Sequence, residues 1–234
     1  MLIIGFVFLF EAEFALPRGE SIKIMPLGDS ITAGFPGAEG YREKLYLDLI
    51  NAGFNVDFVG SQSSGSGFDA DHEGYGWKTA SYFNSWLNGP TGYLLAANPP
   101  DVILYHIGTN DLGGSNVVSY ALATNETLRI IYEYDADITV ILAKIILTTD
   151  DARNTRTHNY NLLLEKYAQY WSDNGYSIIV VDMENALVPA LYPEGDLFDL
   201  VHPTTTGYAK IADVWYDALD AVLSSGTYLK GMIT

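Results

Sequence analysis

Apolar, β-branched residues run almost without interruption in five places: Ile22–Leu27, Val56–Val59, Val102–Ile107, Ile138–Ile146 and Ile178–Val181. Such runs suit strands buried on both faces. Each is followed by a segment with helical spacing. Tyr160, Leu163, Leu164, Tyr167 and Trp171 fall at i, i+3, i+4, i+7 and i+11, and Tyr208, Ile211, Ala212, Trp215 and Leu219 repeat that stripe. Gly53 and Gly175 stand where helix C-caps belong. Strands alternating with helices predict a parallel sheet with right-handed crossovers, covered on both faces. The chain shows no internal repeat, linker or low-complexity tract, and the glycine–serine cluster at 60–67 reads as a surface loop.

In an open parallel sheet, ligands bind beyond the carboxyl ends of the strands. The first run leads into Gly28-Asp29-Ser30 and the third into Gly108-Thr109-Asn110-Asp111, while the fifth leads to a loop carrying Asp199-Leu200-Val201-His202-Pro203. Between the second run and the next helix lies His72-Glu73-Gly74-Tyr75-Gly76-Trp77. All four segments are expected at one edge of the sheet. Acyl transfer needs a nucleophilic oxygen, a base, a group that orients the base, and donors for the oxyanion. Ser30 supplies the nucleophile, His202 the base and Asp199 its orienting partner. Pro203 disfavours helical backbone at His202 and keeps that loop extended. The Ser30 amide, a glycine amide near position 76 and the Asn110 side chain are the candidate oxyanion donors.

Each piece has a plainer reading. Gly-Asp-Ser is a good turn and N-cap sequence, Asn110-Asp111 a good helix cap, and Asp-x-x-His is common in any chain of this length. The ordered set, each member following a predicted strand, favours chemistry. His106, inside a strand, is expected to be a satisfied core residue, and His158 a surface residue of a helix. Asp69, Asp71 and Glu73 read as a solvated acidic loop rather than a calcium site. Tyr75, Trp77, Tyr192 and Phe198 are placed to stack on sugar rings, although packing is the usual work of aromatics. The chain has no G-x-S-x-G, G-x-x-x-x-G-K-[ST], H-E-x-x-H or G-x-G-x-x-G sequence.

The 234 residues, 48% hydrophobic and 18% charged, suit one large domain with a full core. A net charge of −17 repels phosphate backbones and anionic lipid surfaces, which removes nucleic acid and membrane from the expected partners. With no cysteine, disulfides, thiolate zinc sites and a cysteine nucleophile are excluded. Residues 2–10 (LIIGFVFLF) are too few to span a bilayer but match a signal-peptide core, although no Lys or Arg precedes them and Glu11 and Glu13 follow. Residues 1–15 therefore read as a signal peptide or N-terminal extension and 20–234 as a single domain, secreted and monomeric.

At IMPLGDSITAG (24–34), GYREKL (40–45), VDFVGS (56–61), DHEGYGW (71–77), HIGTNDL (106–112), VVDM (180–183) and DLVHPTTTGYAKIA (199–212), the chain resembles the SGNH/GDSL hydrolase family. It is most similar to carbohydrate esterase family 3, the acetyl xylan esterase type. The resemblance extends from about Ile22 to Leu223. It implies an α/β fold, a three-layer α/β/α sandwich with a five-stranded parallel sheet, flavodoxin-like in plan. It also implies catalytic Ser30, Asp199 and His202, with an oxyanion hole of Ser30, Gly76 and Asn110 in which Gly74 is the alternative to Gly76. Asp29, His72, Tyr75 and Trp77 are the candidate substrate contacts. The implied activity is removal of O-acetyl groups from an acetylated polysaccharide or oligosaccharide such as xylan, with no cofactor and no metal. The rival readings are a lipase-like or thioesterase enzyme for longer acyl chains, and a carbohydrate-binding protein without catalysis.

Overall fold

A computed structural model describes residues 21–87 and 93–225. The apolar run at 2–10 and the cleavage region after it lie outside the described residues. All five apolar runs form strands: β1 (Ile22–Gly28), β2 (Val56–Phe58), β5 (Val102–His106), β6 (Thr139–Ala143) and β7 (Ile178–Val181). Two more, β3 (Gln62–Ser63) and β4 (Asp71–Gly74), lie in the stretch read as loop, so the sheet has seven strands, not five. The helices are α1 (Ser30–Ala33), α2 (Arg42–Asn51), α3 (Ala80–Leu87), α4 (Tyr93–Ala97), α5 (Val117–Tyr134), α6 (Asp151–Asp173) and α7 (Thr205–Ser225). A 3₁₀ turn occupies Asp111–Gly113.

The strands are parallel except that β3 pairs antiparallel with β4. The extra strands have a simple origin. Edge β2 covers only the first half of β1, pairing Ile22 with Val56 and Ile24 with Phe58. The second half of β1 would be left with unpaired backbone groups, and β4 fills the gap by pairing Leu27 with Glu73 and Gly28 with Gly74. On its other side β1 pairs with β5, followed by β6 and β7. The second run is thus followed by a hairpin before its helix, α3.

Side chains alternate across the sheet and build two cores. Ile22, Ile24, Val102, Leu104 and Ile141 face α2 and α7, while Met25, Leu27, Ile103, Tyr105 and Leu142 face α3, α5 and α6. The stripes of α6 and α7 recognised in the sequence are their buried faces: Tyr160, Leu164 and Trp171 in one core, and Tyr208, Ile211, Trp215 and Leu219 in the other. His106 is buried as expected but not satisfied, since neither ring nitrogen has a hydrogen-bond partner among the described residues. Burial lowers its pKa to about 4, so the ring is neutral. His158 is exposed and pairs with Glu184 at 2.8 Å.

Candidate active site

The topological switch point lies between β1 and β5, because the chain leaves these neighbouring strands toward opposite faces of the sheet. Ser30 follows β1 and Asn110 follows β5. Gly28 makes the first turn possible, because a Cβ there would lie 2.3 Å from both the His106 carbonyl oxygen and Thr32 Oγ1. Asp29 caps α1 by accepting from the Ile31 amide at 3.0 Å. Ser30 is thereby the first residue of α1, where the leading amides have no intrahelical acceptor.

The base arrives from the segment after β7, which folds back over the sheet edge. Leu197 bridges to Leu191 and Pro203, and the Phe198 amide donates to the His202 carbonyl at 2.8 Å. Within this frame Asp199 Oδ1 accepts from the Val201 amide at 2.9 Å and the His202 amide at 2.8 Å. Its Oδ2 lies 2.8 Å from His202 Nδ1. A carboxylate can only accept, so Nδ1 carries the proton and Nε2 is the free acceptor. Ser30 Oγ lies 2.8 Å from that Nε2. Burial pushes the Asp199 carboxyl up, but the Val201 and His202 amides and the imidazole outweigh it and hold it below its ordinary value. The Phe35 ring covers the His202 ring with centroids 4.5 Å apart.

Asn110 faces the same cleft. Its Nδ2 donates one hydrogen to the Lys78 carbonyl at 2.8 Å, which orients the amide and leaves the second hydrogen for a ligand. Two arginines one turn apart on α6 steady its loop: Arg153 donates to the Thr109 carbonyl, and Arg156 Nε to that of Leu112 at 3.0 Å. The two candidate glycines differ. The Gly74 amide donates to His72 Nδ1 at 2.9 Å, and a Cβ on Gly74 would lie 2.6 Å from the Ala33 nitrogen. The Gly76 amide has no protein acceptor among the described residues, and the space around its Cα is open. Gly76 is therefore the glycine free to donate into the cleft.

The four candidate substrate contacts fare differently. Asp29 is fully buried and engaged as a cap, with burial raising its carboxyl to about 6 against the Ile31 amide. It cannot touch a substrate directly. His72 reaches the cleft wall, but Nδ1 accepts from Gly74 and Nε2 bonds Ser64 Oγ at 2.9 Å, so neither nitrogen is free. Burial lowers its pKa to about 3. Tyr75 turns away from the cleft: its hydroxyl bonds Ser61 and Glu73, and its ring packs on Tyr82 and Trp86. Glu73 is buried rather than solvated, because Ser61 and Tyr75 donate to it. Trp77 also lines the cleft, and it is 87% exposed and left-handed at φ 66°. Such a conformation in a non-glycine residue is costly and persists where the surroundings enforce it. Among the described residues no group of three or more His, Cys, Asp or Glu side chains converges on a cation site.

Ser30, Gly76, Trp77, Asn110, Asp199 and His202 share one cleft of about 700 Å³. Sequence reasoning gave no role to Arg42, which ties its wall together. The side chain is fully buried and donates to the carbonyls of Thr32, Ala33, Ala38, Ser64 and Ala70 and to Ser64 Oγ. Its signal was present: Arg42 stands on the buried stripe of α2 with Leu45 and Leu49, and a charge on such a stripe needs partners.

The GDSL-like Lipase/Acylhydrolase family model matches residues 27–210. A multidomain esterase of Ruminococcus flavefaciens is 29% identical over 234 residues, covering 88% of this chain and 29% of the relative, so this chain spans under a third of that protein. The solved structure of a Clostridium thermocellum family 3 carbohydrate esterase is 30% identical, with 88% of this chain and 99% of that chain covered and a TM-score of 0.72. A family 3 carbohydrate esterase from Talaromyces cellulolyticus is 25% identical, with 87% and 99% covered and the same TM-score of 0.72. The family match takes in the turn after β1, the loop after β5 and the return segment after β7, and the chain belongs to the GDSL-like lipase/acylhydrolase family and is similar to family 3 carbohydrate esterases.

Proposed function

We propose that this chain is a secreted serine esterase that removes O-acetyl groups from a carbohydrate, acetylated xylan foremost, through an acyl-enzyme intermediate. The observation that carries the reading is the unbroken hydrogen-bond chain Ser30 Oγ–His202–Asp199 in the same cleft as Asn110 and the free Gly76 amide. Ser30 Oγ attacks the acetyl carbonyl as His202 Nε2 takes its proton. The Ser30 and Gly76 amides and Asn110 Nδ2 receive the charge that develops on the carbonyl oxygen. Collapse breaks the bond to the sugar oxygen, which takes the proton from His202 and leaves as the free hydroxyl, and acetyl-Ser30 remains. Water, deprotonated by the same imidazole, then releases acetate and restores Ser30.

In this scheme Asn110 acts in the transition state. Asn110→Ala is expected to lower kcat by roughly 10²–10³ with little change in KM. Steady-state kinetics on an acetyl ester measures the split, and a rise confined to KM would make Asn110 a ground-state contact instead.

A second reading, an acylhydrolase for longer chains, draws on the apolar surfaces of Phe35, Trp77 and Leu200 around a cleft larger than an acetyl group needs. Against it, the 62–64 wall is polar, and each buried methylene contributes only about 0.8 kcal/mol where a continuous apolar groove receives it. Nitrophenyl esters of increasing acyl length separate the two, with acetylated xylan assayed beside them. We expect kcat/KM to fall at least tenfold from acetyl to butyryl, about 1.4 kcal/mol of transition-state binding. A rate that climbs toward octanoyl would replace the acetyl reading with the lipase-like one.

A further inference from the structure

The return segment that carries His202 also holds two large aromatic side chains in solvent. Tyr192 is 75% exposed and Phe198 57% exposed. Both were open to a plain packing role in the sequence, and among the described residues both stand mostly exposed. They line a second depression of about 480 Å³, together with Glu39, Glu43, Thr205 and Gly37. Gly37 is common to this depression and the catalytic cleft, so the two adjoin along the 35–37 turn.

The rings stand on a fixed base. The Tyr192 amide donates to the Leu197 carbonyl at 2.9 Å, and Leu197 itself is fully buried and bridged to Leu191 and Pro203. Asp196 accepts from the Val188 amide and from Lys210 Nζ, both at 2.7 Å. Two aromatic rings exposed on a segment braced in this way are spared the ordering cost that a mobile loop incurs on binding.

We infer that this depression is a saccharide subsite, which binds neutral sugar units of the polysaccharide chain next to the acetylated unit held at Ser30. The inference rests on the proposed carbohydrate esterase reading. Its chemistry follows from the lining. The C–H face of a pyranose packs on an aromatic ring, and the Glu39 and Glu43 carboxylates accept hydrogen bonds from its hydroxyls. The same carboxylates repel an anionic ligand and would be desolvated at a cost by an acyl chain. Position agrees with this, since the alcohol part of the ester is a sugar chain that must extend away from Ser30.

The test is the full chain carrying Tyr192→Ala and Phe198→Ala together, compared with the unsubstituted chain. Both side chains are exposed, so the thermal midpoint should change little, and kcat/KM on nitrophenyl acetate should stay within about twofold. On acetylated xylo-oligosaccharides of increasing length, the unsubstituted chain should gain kcat/KM with length. The double variant should lose that gain through a KM at least tenfold higher. Calorimetric titration with unacetylated xylotetraose reads the subsite without any hydrolysis, and binding should be weakened at least tenfold in the variant. Equal titration curves for the two proteins, or no binding to either, would overturn the subsite even if acetyl xylan is hydrolysed. Binding that the variant loses, in a protein that hydrolyses no acetylated saccharide, would keep the subsite and discard the esterase substrate instead.

Discussion

Replacing Ser30 by alanine is expected to lower kcat on an acetyl ester by about 10⁴–10⁶-fold while KM changes little, and adding His202→Ala should cost almost nothing more. The reason is the single line of hydrogen bonds from Asp199 through His202 to Ser30. The imidazole is useful only as the acceptor of the Ser30 proton, so once the hydroxyl is gone the base has nothing to activate. What survives is the contribution of the oxyanion donors and of binding, which keeps turnover above the uncatalysed rate. The double-mutant cycle on purified protein is the decisive form of the measurement. Losses that multiplied independently would mean that the two residues do not act on one proton. A Ser30→Ala protein with near-normal turnover would remove the serine mechanism and leave room for a carbohydrate-binding protein whose hydrolysis comes from elsewhere.

Arg42→Met is expected to destabilise the fold by about 3–5 kcal/mol, through groups that an apolar side chain cannot serve. Arg42 has no carboxylate partner among the described residues. Its charge is solvated by the carbonyl dipoles of Thr32, Ala33, Ala38, Ser64 and Ala70. Methionine fills similar space but takes a donor from each of those carbonyls; Ala33 and Ala38 keep only the Ser64 hydroxyl and Ala70 the Ser64 amide, and a buried carbonyl left unpaired costs about 1–3 kcal/mol unless water enters. Lysine is expected to recover only part of the loss, because three donors on one nitrogen cannot reproduce the planar fork. A thermal midpoint about 10 °C lower is the corresponding shift for a domain of this size. Ala33, Ala38 and Ser64 also line the catalytic cleft, so the surviving enzyme should show a raised KM on saccharide substrates. Chemical denaturation read by circular dichroism gives the stability change, and an Arg42→Met protein as stable as the parent would show that the carbonyls find water instead.

The sheet and its helices were legible in the chain because they follow from local periodicity. A run such as Val102–Ile107 has no polar side for water, so it can only be an interior strand, and the stripe from Tyr208 to Leu219 can bury itself only as a helix. Strand β4 was not legible. Asp71–Gly74 has neither the alternation nor the composition of a strand, and it becomes one because β2 ends at Phe58 and leaves the end of β1 unpaired. That vacancy is a property of the assembled sheet.

The sequence by itself determined the chemical types of the site and the loops that carry them. Ser30, Asn110, Asp199 and His202 each follow a strand whose carboxyl end lies at the same edge. Their approach to bonding distance was decided by the tertiary structure, since Ser30 and His202 are 172 positions apart and only the return of the 182–204 segment across the sheet brings them to 2.8 Å. Burial was decided there too. Asp29 and Glu73 went inside because backbone amides and hydroxyls were waiting for them, while Trp77, Tyr192 and Phe198 stayed exposed because none of the described elements covers them. The physical reason is the same in each case: periodicity reports which face of an element is apolar, whereas exposure, hydrogen-bond partners and the choice between Gly74 and Gly76 depend on what a distant part of the chain places opposite.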